Sequence, residues 1–223
     1  MSTDWATRLL SHKSLQGMGH GQRLRDANLG LGWLYYALVR MERPTRAVCI
    51  GSWRGFVPIV LAQALHDNGD GGRLTFVDPS LVDDFWADPE RTRAWFASFG
   101  LDNVEHHRAT TQAFAGSPAW HALDPVGLLF VDGYHTAEQA RFDHEAFAPK
   151  LAPQATVLFH DSIRSRHSTI YGANAPYVHS VHAYIDELRR RPGLQVMDFA
   201  LDSGVTVVRP EPGAAERAPH AAD

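Results

Sequence analysis

Ala47-Val48-Cys49-Ile50-Gly51-Ser52-Trp53-Arg54-Gly55 is the stretch on which the fold turns. Its four leading apolar residues are too few for a helix, and they stop at a pair of closely spaced glycines. The apolar run that follows, Phe56 to Leu65, is too long for a typical strand. The pattern predicts a buried strand, a glycine loop and a buried helix. Glycines there let the backbone turn tightly and approach a ligand closely. The loop is neither the G-x-G-x-x-G of dinucleotide binders nor a P-loop, which needs G-K-[ST].

Outward from it the texture repeats. Leu74–Val77 reads as a strand closed by Asp78-Pro79, and Asp88–Phe99 as a helix stopped by Gly100. Val104–Arg108 is a weaker strand, Thr111–Ala115 a short helix, and Val126–Val131 a strong strand ending at Asp132-Gly133. Thr136 N-caps a helix to Leu151, and Thr156–Phe159 is a strand ending at His160-Asp161. A polar stretch, 162–175, leads to Pro176, which opens a helix to Arg190. Gln195–Leu201 and Val205–Val208, joined by Asp202-Ser203-Gly204, form a hairpin. Upstream, Leu29, Leu31, Trp33, Leu34, Leu38 and Met41 give a helical stripe ended by Pro44. The fold class is α/β: a Rossmann-like, doubly wound, mostly parallel seven-stranded sheet with a C-terminal antiparallel hairpin. The expected division is an N-terminal helical or lid segment (1–44), the α/β domain (45–209) and a disordered tail (210–223).

The 223 residues suffice for a real core, and 44% hydrophobic with 21% charged residues excludes global disorder. A net charge of −4 gives no reason to expect a nucleic-acid partner. One cysteine, Cys49, excludes an intramolecular disulfide and a Cys-based metal site. No basic-then-apolar leader opens the chain and no apolar run approaches the ~20 residues of a membrane span. A cytoplasmic protein acting on a small molecule, away from membranes, is the expectation, and a homo-oligomer stays open. The oddity is histidine, 13 in the chain.

Ligands of such sheets bind at the carboxyl ends of the strands. There the chain places Gly51, Asp78, Thr110, Asp132 and His160-Asp161. Asp78 either caps the turn before Pro79 or accepts two hydrogen bonds from a ribose diol. Asp132, His160 and Asp161 either hold a divalent cation or are ordinary strand ends, and His135 or His160 can serve as a general base near neutral pH.

Taken in order, Cys49-Ile50-Gly51-Ser52-Trp53-Arg54-Gly55, Val77-Asp78-Pro79, Val131-Asp132-Gly133-Tyr134-His135 and Phe159-His160-Asp161 resemble the class I S-adenosylmethionine-dependent methyltransferases. More narrowly they resemble the small O-methyltransferase-like family with an I-D-G-x-H element followed by H-D. The resemblance implies S-adenosyl-L-methionine as cofactor, with Mg²⁺ or another divalent cation as a possible second. It implies that Gly51, Ser52, Trp53 and Gly55 face the methionine end and that Asp78 holds the ribose. Thr110 and Thr111 lie near the adenine, and Asp132 and Tyr134 near the methyl-transfer centre. Metal ligands are implied at Asp132, His160 and Asp161. Methyl transfer to an acceptor must also dispose of a proton, for which His135 comes first and His160 second as base. Two positions depart from the family's pattern: Cys49 stands where an acid is usual, and Pro153-Gln154-Ala155 replaces Pro-Gly-Gly. A nicotinamide-dependent Rossmann-type oxidoreductase and a non-catalytic methyltransferase-fold subunit are the alternatives.

The remaining histidines are expected in lids and on the surface. Gly17, Gly19 and Gly21, with His12 and His20, mark a covering segment. Arg164, Arg166, His167 and Tyr171 sit in a loop long enough to bind substrate. His179 and His182, one helical turn apart, are expected on an exposed face.

Overall fold

In the central strand β1 (Arg46–Ile50), successive side chains go to opposite layers, Ala47 and Cys49 to one core and Val48 and Ile50 to the other. A strand covered on both faces has no polar side to show, which is why it reads as a continuous apolar run. The computed structural model describes residues 3–212. On either side of β1 lie β2 (Arg73–Val77) and β4 (Val126–Val131), both parallel to it. β3 (Val104–His107) flanks β2, and β5 (Leu151–His160) flanks β4, again in parallel. Two antiparallel strands, β9 (Val205–Pro210) and then β8 (Leu194–Phe199), complete the order β3-β2-β1-β4-β5-β9-β8. The reversal of strand order between β1 and β4 opens the crevice in which doubly wound sheets bind ligands.

One face is covered by α1 (Thr3–Ser11), α2 (Gly32–Glu42), α3 (Phe56–Asn68) and α4 (Pro89–Ala97). α5 (Thr111–Ala115), α7 (Ala137–Phe147) and α8 (Val181–Leu188) cover the other, with the short α6 (Pro118–His121) beside them. α3 buries every residue from Phe56 to Leu65, all apolar except Gln63, whose amide donates to Asp67. Pro58 falls in its first turn, where no N–H is needed. Thr136 accepts from Gln139 N–H at 3.2 Å and caps α7 as expected.

Four boundaries differ from the sequence-based expectation. A helix precedes the stripe that begins at Leu29: Trp5, Leu9 and Leu10 anchor α1 in the core, and Trp5 Nε1 donates to the Phe99 carbonyl. α7 stops at Phe147 and passes through one 3-10 turn containing Pro149. β5 then begins at Leu151, five residues earlier than its apolar centre indicates. Within 162–175, Arg166–Ser168 forms β6, which pairs antiparallel with β7 (Tyr177–His179). Pro176 therefore leads into a strand rather than a helix, a position open to proline at a strand's start. The helix begins only at Val181. Residues 213–223 of the expected tail lie outside the described residues. Among those described, no helix is long and apolar enough to cross a membrane.

Candidate active site

The glycine turn is built by contact as much as by conformation. Gly51 has φ +72°, and a Cβ there would lie 2.3 Å from the Asp132 carbonyl oxygen. Only glycine lets the turn after β1 close against the turn after β4, with Asp132 N–H donating to the Ile50 carbonyl at 2.8 Å. Across the other side, Asp78 Oδ2 accepts from Ser52 N–H at 3.0 Å and Oδ1 from Ser80 N–H at 2.7 Å. Trp86 Nε1 donates to the Ser52 carbonyl at 3.1 Å and pins the loop from behind. Burial, reinforced by the charge of Asp132, pushes the Asp78 carboxyl up to about 6 despite those two hydrogen bonds. Ser52 is 3% exposed and its Oγ has no partner, an unspent donor and acceptor. Cys49 takes no part: it is fully buried in the core, with Sγ 3.4 Å from the Gly51 carbonyl.

These groups line one cavity of about 730 Å³. Gly51, Ser52, Trp53, Asp78, Thr110, Thr111, Asp132, Tyr134, His135, His160 and Asp161 all border it. Gly55 does not; its left-handed φ of +88° starts α3, and Trp86 packs over it. Thr110 caps α5 by accepting from Ala113 N–H. Thr111 is bonded to Asp143, whose carboxyl burial raises to about 6.

The floor of the cavity is a histidine–aspartate cluster. His160 Nδ1 donates to Asp132 Oδ1 at 2.7 Å, and its Nε2 donates to the Gly19 carbonyl at 3.1 Å. Burial opposes the charge, but Asp132 outweighs it and raises His160 to about 9. His160 is therefore an imidazolium at neutral pH with both nitrogens in use, which removes it as a general base. His135 is the reverse case: burial lowers it to about 4 against the pull of Asp132 and Asp161, so its ring stays neutral. Asp161, at a left-handed φ of +52°, accepts at Oδ2 from His179 Nδ1 at 2.6 Å and from Arg166. Burial alone would raise this carboxyl; the His179 bond and the neighbouring imidazoles hold it far below the usual range.

The three residues expected to bind a cation do not converge. Asp132 and His160 group with His20, whereas Asp161 groups with His135 and His179. His160 has no nitrogen left to ligate with, so Asp132, His160 and Asp161 do not fit a shared ion. Two floor residues lie outside the strand ends that the sequence singles out. His20 was expected in a lid, and its ring tilts over His160 at 4.0 Å while Tyr35 holds its Nδ1 at 3.0 Å. His179, read from the sequence as a surface residue, is 1% exposed, and a three-residue strand offers no readable period that would place it. Arg166, read as a substrate contact, is engaged by Asp161, and Arg164 donates to the Asp202 carbonyl. At the rim, Tyr134 stacks on Tyr177 at 4.4 Å, and Tyr171 lies 5.4 and 5.6 Å from the two.

A glycine turn and a strand-end carboxylate at the switch point of a β3-β2-β1-β4-β5-β9-β8 sheet are the architecture of the class I methyltransferase fold. The chain belongs to the methyltransferase-domain family, whose model matches residues 48–162, just over half of its length. It is 30% identical over 151 residues to the uncharacterized protein y4gI of Sinorhizobium fredii, covering 64% of this chain and 15% of that one. The chain thus spans a small part of the curated relative it matches. Among solved structures it is similar to the O-methyltransferase of Bacillus cereus in complex with S-adenosylhomocysteine. That match has a TM-score of 0.64 and 14% identity over 95% of this chain and 92% of the other. It is also similar to TomG of Streptomyces achromogenes, an O-methyltransferase of tomaymycin synthesis in complex with S-adenosylmethionine. There the TM-score is 0.62, with 16% identity over 94% and 90% of the chains.

Proposed function

We propose that this chain binds S-adenosylmethionine and methylates an oxygen of a small molecule. The carrying observation is the turn itself: Gly51 without room for a Cβ, an unpartnered buried Ser52 Oγ, and Asp78 facing the same cavity. These residues fit the cofactor, with Ser52 and Trp53 toward its methionine end, Asp78 toward the ribose and Thr110–Thr111 toward the adenine. Asp132 and Tyr134 would then border the reacting end. S-adenosylmethionine supplies an electrophilic sulfonium methyl, so the protein's work is to align the acceptor oxygen and dispose of its proton. Of the two imidazoles considered for that proton, His160 is committed to Asp132 and Gly19. Proton release is assigned to the His135 end of the floor, where the ring is neutral and makes no hydrogen bond.

In this reading residues 45–209 are the catalytic unit and residues 1–44 close the cavity, with Gly17 to His20 lying over His160. The neighbours titled O-methyltransferases support oxygen as the acceptor atom. Isothermal titration with S-adenosylhomocysteine tests the reading: saturable binding is expected, and no heat at high micromolar ligand sinks it. Nicotinamide cofactors, titrated alongside, are expected to give none.

A further inference from the structure

One buried ionisable side chain on the cavity wall has no part in the chemistry above. Asp143 is 1% exposed and borders the cavity beside Thr111. Its carboxyl reaches the turn after β4 because Gly133 leaves room: a Cβ there would lie 3.3 Å from Asp143 Oδ2. Thr111 donates to the carboxylate, and Gln139 Nε2 donates to Oδ1 at 2.7 Å. Gln139 Oε1 in turn accepts from Gln112 Nε2 at 3.0 Å. All of these side chains border the cavity, at the end assigned to the adenine. A carboxamide is free to turn over, since its two sides are alike in shape and opposite in hydrogen bonding. Asp143 removes that freedom. With its carboxyl at about 6 it is ionised at pH 7.5, and an ionised carboxylate only accepts. Gln139 must turn its NH2 to Asp143 and its oxygen outward. Gln112 must then turn its NH2 to that oxygen, which leaves its own Oε1 as the acceptor for a ligand.

On the reading that this cavity holds S-adenosylmethionine, we propose that Asp143, through Gln139, fixes the Gln112 carboxamide so that the site takes a 6-aminopurine and rejects a 6-oxopurine. The two bases present opposite patterns on the same edge. One has an amino donor beside a bare ring nitrogen, the other a carbonyl acceptor beside a ring N–H. A glutamine free to turn over satisfies both and discriminates between neither. One held by its NH2 satisfies the amino base alone, and the oxo base sets its carbonyl against Oε1 with neither partnered. Thr110 and Thr111 impose no such direction, because a hydroxyl donates or accepts as required. Asp143 is thus a positioning residue, acting through two amides on the base it selects.

Calorimetric titration of the full-length protein at pH 7.5 with S-adenosylhomocysteine and with its deaminated analogue, S-inosylhomocysteine, provides the test. Wild type is expected to favour the adenine compound at least about tenfold. Asp143→Asn replaces a pure acceptor by a group that also donates, so the chain of amides runs in either direction; Gln139→Met breaks it. Each variant is expected to bring the preference to within about threefold, mainly by admitting the inosine compound. Binding of S-adenosylhomocysteine with no preference in wild type overturns the proposal, and so does a preference kept in both variants. An equal loss of both ligands does so too, since Asp143 then only supports the fold. A wild type that binds neither compound sinks the cofactor reading and this proposal together, so the two failures are told apart. Circular dichroism identifies a misfolded Asp143 variant, and the half-buried Gln139 then carries the test.

Discussion

Asp78 sits at the balance between burial and hydrogen bonding. Two backbone donors favour its charged form, yet desolvation wins and lifts it to about 6. A carboxylate that accepts ribose hydroxyls must be ionised, and this one is ionised only above about pH 6. Affinity for S-adenosylhomocysteine is therefore expected to be flat from pH 8 to 7 and to fall below 6, approaching tenfold per pH unit. Asp78→Asn is expected to lower affinity about 10- to 100-fold at pH 7.5, the worth of hydrogen bonds to a charged acceptor, and to flatten the acid limb. Calorimetry across this range checks both; a variant that binds as tightly as wild type removes Asp78 from the ribose role. This residue was legible in the sequence because Val77-Asp78-Pro79 marks a strand end in the right place. The environment that sets its pKa was not, since that comes from Ser52, Ser80 and Asp132 converging in space.

The β6–β7 hairpin is the element that sequence periodicity misassigned. Pro176 followed by an apolar-rich segment reads as a helix start, and a three-residue strand is too short to show a period of two. Its pairing with Arg166–Ser168 depends on a partner nine residues back that is itself polar and exposed. A helix start at Pro176 predicts an exposed His179, whereas the strand buries it beside Asp161. On the same face of the strand, its ring 5.0 Å from His179, Tyr177 stacks on Tyr134 from the loop after β4 and borders the cavity. In the proposed reading the pair borders the acceptor side of the cavity. Tyr177→Ala is expected to raise the acceptor KM about 2- to 10-fold, the worth of an aromatic contact, with S-adenosylhomocysteine affinity unchanged. Steady-state kinetics paired with calorimetry separate the two quantities. A matching loss of cofactor affinity would mean that the hairpin supports the whole pocket instead.

At the scale of the molecule, the sheet was readable from the chain because its central strands are buried on both faces and announce themselves as apolar runs. The N-terminal segment was less so. Its polar, glycine-rich stretch at 17–21 suggests a mobile cover, whereas the preceding α1 is amphipathic and short, with its few apolar residues spread among polar ones. In the fold, Leu9, Leu10 and Leu15 are fully buried in the same cluster as Tyr35, Val39 and the α3 residues. The segment thus works at two levels: Gly19 closes over His160, and the helix before it belongs to the core. If that is its nature, a core truncation there must destabilise the whole domain rather than loosen a lid. Leu9→Ala is expected to cost about 2–5 kcal/mol, the range for a leucine removed from a packed interior. At about 2–4 °C per kcal/mol for a domain of this size, the thermal midpoint should drop by roughly 4–20 °C. Urea denaturation monitored by tryptophan fluorescence and by far-ultraviolet circular dichroism should report the same single shifted transition. An unchanged midpoint, with only ligand affinity altered, would instead identify residues 1–44 as a detachable cover on an independently stable sheet.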